Sequence, residues 1–133
     1  MPPPKTPHAL LMIDDDASSR KLAKLILERE GYRVLTAANG EEGLILAKLE
    51  RPGVILLDVM MPKMNGYETL KRLREDQDTQ GIPVIMVTAK GTEQDIATSY
   101  KLGAIYHVEK PYETQDLLQK IQVAMAMPAE GSP

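Results

Sequence analysis

Val54-Ile55-Leu56-Leu57-Asp58-Val59-Met60-Met61-Pro62-Lys63-Met64-Asn65-Gly66 is the stretch that decides the fold. Apolar residues, Val54 and Ile55 among them β-branched, run straight into a carboxylate, and Pro62, Asn65 and Gly66 then break the strand and open a helix. Asp58 is thereby expected at the C-terminal tip of a strand. In open parallel α/β sheets the crevice beyond the strand C-termini is where ligands bind, so a lone carboxylate there faces solvent and substrate rather than core. Asp58 is the candidate reactive residue.

The same grammar repeats on both sides of this stretch. Upstream, Ala9-Leu10-Leu11-Met12-Ile13 is a continuous apolar run ending in Asp14-Asp15-Asp16, and a helix is expected from Ala17 to Glu30 with Leu22, Leu25, Ile26 and Arg29 at helical spacing. Arg33 to Ala37 mixes polar and apolar residues, as a half-exposed strand does. Asn39 with Glu42 reads as a capping pair for a helix running to Leu49, and Asn65 with Glu68 repeats it for a helix ending near Glu75. Downstream, Ile82 to Thr88 is a further apolar run closing on a hydroxyl, with Pro83 near its start, where a missing amide donor is tolerated. Thr92 caps a helix ending at Leu102-Gly103, Ile105 to Glu109 is a mixed strand leading into Lys110-Pro111, and a last helix from Glu113 to Met125 carries Leu117, Leu118, Ile121 and Met125 on one face. These stripes are core packing. The expected organisation is one domain over residues 9–126, a flexible proline-rich segment over 1–8 and a tail or linker remnant over 127–133.

Alternating strands and helices imply a parallel sheet with helices on both faces, a three-layer doubly wound (βα)5 architecture. Strands buried on both faces are apolar throughout, so the first, third and fourth strands lie inside and the mixed second and fifth form the edges. The resulting strand order, 2-1-3-4-5, is the flavodoxin-like one, and its switch point lies between strands one and three. Asp14, Asp15 and Asp58 are expected to converge there.

Composition narrows the function. A chain of 133 residues with 43% hydrophobic and 26% charged residues is an ordinary globular domain. A formal net charge of -3 argues against gripping a nucleic-acid backbone, and Tyr100, Tyr106 and Tyr112 are too scattered for a base-stacking platform. The absence of cysteine excludes disulfides, thiolate metal sites and thiol nucleophiles. No apolar run approaches the ~20 residues of a membrane helix and no signal peptide is recognisable, so the expectation is a cytoplasmic protein that does not engage the membrane.

Packed carboxylates raise one another's pKa unless a cation neutralises them, so the acidic cluster calls for a hard divalent metal. Mg2+ is the natural occupant, with Mn2+ a possible substitute. Lys110 and Thr88 complete a cradle for a transferring phosphoryl group, whose equatorial oxygens carry the charge. Asp16 reads as a plain helix-terminus acid.

With these residues in place, the sequence resembles the receiver domain of bacterial two-component response regulators. The resemblance covers about Ala9 to Met125 and rests on Asp14-Asp15, Leu57-Asp58 with Met61-Pro62 and Asn65-Gly66, Thr88-Ala89, and Lys110-Pro111 in order after the right strands. It implies that Asp58 is the phosphoacceptor, taking a phosphoryl group from a sensor histidine kinase, a phosphotransfer protein or a small phosphodonor. It further implies that Asp15, Asp58 and the Met60 backbone carbonyl hold Mg2+, with Asp14 acting through water, and that Lys110 pairs with the phosphoryl oxygens. Thr88 would bond the new phosphoryl group and bias the face made by the fourth helix, fifth strand and fifth helix towards a downstream protein or output domain. The family's switch position, usually aromatic, is His107 here, so partner binding is expected to depend on the side chain at 107. By the same resemblance, Met60 and Lys90 occupy positions where the family varies and tunes the phosphoryl lifetime, and an apolar Met60 predicts slow self-hydrolysis.

Two other classes fit less well. A Mg2+-dependent phosphohydrolase working through an aspartyl phosphate needs a second acid shortly after the nucleophile, and Val59 and Met60 stand there instead. A flavin or nucleotide module needs a glycine-rich loop after strand one, where Asp14-Asp15-Asp16 would repel a phosphate. The chain is therefore read as a signalling domain rather than an enzyme.

Overall fold

The computed structural model describes residues 6–61, 64–89 and 93–127. The elements alternate as β1 (Thr6–Ile13), α1 (Ala17–Arg29), β2 (Arg33–Ala37), α2 (Gly40–Glu50), β3 (Pro52–Asp58), α3 (Gly66–Glu75), β4 (Val84–Thr88), α4 (Glu93–Lys101), β5 (Tyr106–Glu109) and α5 (Thr114–Met125). All pairings are parallel, in the order β2-β1-β3-β4-β5. The doubly wound architecture and the two edge strands stand as the composition of the strands implied.

The alternation of side chains along each strand divides the core in two. Leu10 and Met12 of β1, Val54 and Leu56 of β3, Ile85 and Val87 of β4 and Val108 of β5 face α1 and α5. Leu11, Ile13, Ile55, Leu57, Val84 and Met86 face the other way, towards α2 and α3 and the Leu102–Ala104 turn. An inner strand must satisfy both layers, which is why β3 is buried at every position. Each fully buried Leu or Ile here contributes roughly 1.5–3 kcal/mol of hydrophobic stabilisation.

Side-chain caps set the helix starts. Asp16 accepts from the Ser18 amide, Asn39 from the Glu42 amide and Asn65 from the Glu68 amide. Glu42 reaches back to the Ala38 amide, closing the expected capping pair one residue early. Thr92 lies outside the described residues, as do Met1–Lys5 and Pro128–Pro133.

Two expectations need correction. Strand β1 begins at Thr6, so residues 6–8 belong to the sheet and not to a flexible segment; Thr6 pairs with Pro52 across an irregularity before Leu10. Backbone pairing needs no apolar side chain, so the start of the apolar run marks burial rather than the strand end. In α1 the inward residues are Ala23 and Leu27, while Leu22 (58% exposed) and Leu25 (52%) point to solvent. Small Ala23 lets the helix lie close to the sheet, and at 100° per residue this turns Leu22 and Leu25 outward. Helix α2 behaves alike. Its inner face is Gly40, Gly43 and Ala47, and a Cβ on Gly43 would meet Ile13 Cδ1 at 2.3 Å, so Ile45 and Leu49 are left outside.

Candidate functional site

The strand C-termini deliver polar groups to one edge of the sheet. The Asp14 amide continues the β1–β2 ladder by donating to Ala37 O at 3.1 Å, and its carboxylate is almost fully buried. Asp14 Oδ1 accepts from the Asp16 amide at 2.9 Å and Oδ2 accepts from Lys110 Nζ at 2.9 Å. The Asp14 carbonyl accepts from the Arg20 guanidinium at 2.6 Å. Asp15 is exposed. Asp58 closes β3, buried, its Oδ1 accepting from the Met60 amide at 3.3 Å.

The backbone around Asp58 is tightly packed. The Val59 amide donates to Val87 O at 3.0 Å and its carbonyl accepts from the Gly66 amide at 2.9 Å. A Cβ at position 66 would stand 2.3 Å from the Asp58 carbonyl oxygen and 2.8 Å from Val59 Cα. Only glycine lets α3 begin this close to the carboxylate-bearing strand. On the other side, Thr88 is buried at the end of β4 and its carbonyl accepts from the Lys110 amide at 2.6 Å. The Lys110–Pro111 peptide is cis.

The carboxylate oxygens of Asp14, Asp15 and Asp58 can lie within 4.8 Å of one another. Burial, and then the charge of Asp14, pushes the Asp58 pKa up to about 6, against the opposing pull of Lys110. Burial pushes the Lys110 ammonium down, yet its hydrogen bond to Asp14 and the charges of Asp14 and Asp58 outweigh this and the net shift is upward. Burial also pushes the Tyr112 phenol up. Three carboxylates facing one lysine form an oxygen-only donor set with uncompensated negative charge, which fits a hard divalent cation.

The structure thus brings together Asp14, Asp15, Asp58, Lys110 and, through its backbone bond to Lys110, Thr88. Met60 stands at the rim, 71% exposed. His107 is set back from this edge, in register with Met86. Both its ring nitrogens are buried and have no hydrogen-bond partner among the described residues, and burial lowers its pKa against the charges of Glu109 and Asp95. Lys90 lies outside the described residues. Sequence reasoning missed the direct Lys110–Asp14 pair, Arg20 and Tyr112. Only Arg20 left a trace, as the base one turn after the Asp16 cap.

Beside Lys110 an apolar groove opens between α1 and the start of α5, lined by Met12, Leu22, Ile26, Pro111 and Tyr112. No helix among the described residues is long and apolar enough to cross a membrane.

Comparison with known proteins decides the family. The model of the response regulator receiver domain matches residues 10–122. This chain belongs to the response regulator receiver domain family. Protein PilH of Pseudomonas aeruginosa is 37% identical over 88% of this chain and 97% of its own length. The transcriptional regulatory protein CpxR of Escherichia coli is 41% identical over 89% of this chain but only 49% of its own. A probable transcriptional regulator, ycf27, of Guillardia theta is 40% identical over 91% of this chain and 46% of its own length. The chain therefore spans about half the length of several curated relatives. Among solved structures, a putative response regulator from Chloroflexus aurantiacus superposes with a TM-score of 0.85 at 34% identity, over 91% of this chain and 99% of that one. The chemotaxis protein CheY4 of Vibrio cholerae gives 0.82 at 33%, over 87% and 97%. Receiver domains are signalling domains that work with histidine kinases and output domains, and the family binds Mg2+ at an acidic cluster; Asp14, Asp15 and Asp58 form an acidic cluster in this chain.

Proposed function

We propose that this receiver domain accepts a phosphoryl group on Asp58. The observation that carries the reading is the convergence of Asp14, Asp15 and Asp58 with Lys110 at the sheet's switch point. At neutral pH a group with a pKa of about 6 is mostly ionised and can act as the nucleophile. An Asp58 oxygen forms a bond to phosphorus while the bond from phosphorus to the donor, a histidine nitrogen of a kinase or phosphotransfer protein or an oxygen of a small acyl phosphate, breaks and its electron pair leaves with the donor. Mg2+, held by Asp15, Asp58 and the Met60 carbonyl and by Asp14 through water, would neutralise charge gathering on the phosphoryl oxygens; Mn2+ has the same ligand preference.

The chain's own groups do the positioning. Lys110, now paired with Asp14 and near enough to Asp58 for its charge to pull that carboxyl's pKa down, would bond the new phosphoryl oxygens, and Thr88 would supply a hydroxyl from the neighbouring strand end. The Thr88–Lys110 backbone bond ties both to the β4–β5 edge, where His107 feels the charge of Asp95 on α4 and Lys120 stands 5.6 Å from the Tyr106 ring centroid. That α4–β5–α5 face is the one we assign to a downstream partner, in a manner sensitive to residue 107. The groove by Leu22 and Ile26 adjoins Lys110 and suits the protein that delivers the phosphoryl group. Neither role calls for nucleic acid or a membrane, and the cytoplasm is the setting such a relay needs.

Incubation with acetyl phosphate and Mg2+ followed by intact-mass measurement tests the reading. The wild type should gain one phosphoryl unit and Asp58→Ala none; equal gain in both would move the acceptor elsewhere, and no gain in the wild type would end the proposal.

A further inference from the structure

We propose that Met60 is an oxidation site, and that its conversion to the sulfoxide shortens the lifetime of the phosphoryl group on Asp58. The lifetime half of this rests on the phosphoacceptor reading given above. The chain has eight methionines and no cysteine, so thioethers are its softest nucleophiles towards a peroxide. Burial separates them sharply. Met12, Met61, Met64 and Met86 are all buried, Met125 and Met127 are partly covered, and Met60 is 71% exposed. Met1 lies outside the described residues. Three methionines crowd the loop after β3, and of these Met60, nearest the carboxylate, is exposed while Met61 and Met64 are buried.

The chemistry is a two-electron oxygen transfer. A sulfur lone pair attacks a peroxide oxygen, the O–O bond breaks as the S–O bond forms, sulfur is oxidised and the peroxide reduced, and hydrogen peroxide leaves as water. The product replaces a weak acceptor by a strongly polar S–O group. Its position gives the change a consequence. The Met60 amide is held 3.3 Å from Asp58 Oδ1, so the side chain is rooted beside the acyl phosphate that would form there. Hydrolysis of that species needs a water oriented towards phosphorus, and the reduced thioether at position 60 is too weak an acceptor to hold one. The sulfoxide oxygen can. Oxidation thus links an apolar, slow-hydrolysing state to a polar, faster one.

The test treats the folded protein with graded hydrogen peroxide, maps added oxygen by peptide mass spectrometry, and follows loss of the phosphoryl group by intact mass after acetyl phosphate is removed. Met60 should gain oxygen before Met125 and Met127. The phosphorylated half-life should fall at least about threefold, modest beside the ~10²–10⁴ of a fully positioned base, and methionine sulfoxide reductase should restore it. Met60→Gln should decay fast without peroxide, and Met60→Leu should show no peroxide response. Oxygen appearing first at another methionine, an unchanged half-life, or an equal response in Met60→Leu would overturn the proposal. If neither oxidised nor untreated protein takes a phosphoryl group, it is the phosphoacceptor reading that fails and the lifetime claim with it, while the oxygen map still decides the selectivity at Met60.

Discussion

Replacing Asp58 by asparagine should stabilise the cation-free protein at neutral pH, because the site holds a charge its surroundings oppose. Burial and the neighbouring Asp14 raise the Asp58 pKa from 3.8 to about 6. A folded pKa above the unfolded one means that the native state binds more protons through this window, so stability falls as pH rises from about 4 to about 6 and the full cost remains above it. Taken alone the change amounts to about 3 kcal/mol, and because Asp14 and Lys110 adjust to the same charge we expect about 1–3 kcal/mol. Asparagine keeps the shape and removes the charge. In urea unfolding with a chelator present, Asp58→Asn should exceed the wild type by that amount at pH 7.5, by roughly half as much at pH 5 and by little at pH 4. Mg2+ should close the gap by stabilising the wild type more. An advantage that is absent at pH 7.5, or that persists undiminished at pH 4, would refute the electrostatic account.

Gly66→Ala should cost about 1–3 kcal/mol, since its Cβ meets the Asp58 carbonyl at 2.3 Å and backbone cannot swing aside; it should also slow phosphorylation by acetyl phosphate, and an unchanged unfolding midpoint would sink the close-packing argument. Lys110→Met leaves the buried Asp14 carboxylate without its 2.9 Å partner, so chelated protein should lose about 2–4 kcal/mol in urea unfolding, with Mg2+ returning part of it. His107→Phe should gain roughly 1 kcal/mol by removing two buried ring nitrogens that lack partners among the described residues. Burial holds the His107 pKa below 6.5, so its contribution is present above that pH and is lost as pH falls; thermal unfolding of the Phe variant between pH 7 and pH 5 should therefore decline less than that of the wild type.

The parts of the site that were legible in the sequence are those fixed by strand ends. An apolar run that stops on a charge or hydroxyl says where the strand stops and what it carries, and that pattern alone puts Asp14, Asp58 and Thr88 at one edge. Strand order followed from which runs were apolar on both faces. Rotation about a helix axis was less legible. In α1 the apolar residues at 22, 25, 26 and 27 span two overlapping stripes, and the deciding residue is Ala23, whose smallness rather than hydrophobicity sets the approach to the sheet. Pairings across long sequence separations were not legible either. Lys110 and Asp14 are 96 residues apart, and nothing local distinguishes a lysine bound for a carboxylate from one awaiting a phosphoryl oxygen.

On the proposed reading, that pairing would give the site its means of responding. Asp14, Asp15 and Asp58 against Lys110 leave two net negative charges at the sheet edge when all are ionised, which a divalent cation balances. Phosphorylation of Asp58 would add further negative charge there, because a phosphoryl group carries about -1.5 to -2 at pH 7. The Lys110 ammonium cannot serve Asp14 at 2.9 Å and a phosphoryl oxygen equally well. Whatever share it gives to the new group it takes from Asp14, and its backbone is bonded to Thr88 at the end of β4. On the proposed reading, a change of charge at Asp58 would therefore be felt first along the β4–β5 edge, which holds His107, whose ring nitrogens have no hydrogen-bond partner among the described residues. A strand in which one polar residue is already unsatisfied has little to lose by rearranging, which is the physical reason to propose the response at β5 rather than in β3, buried at every position.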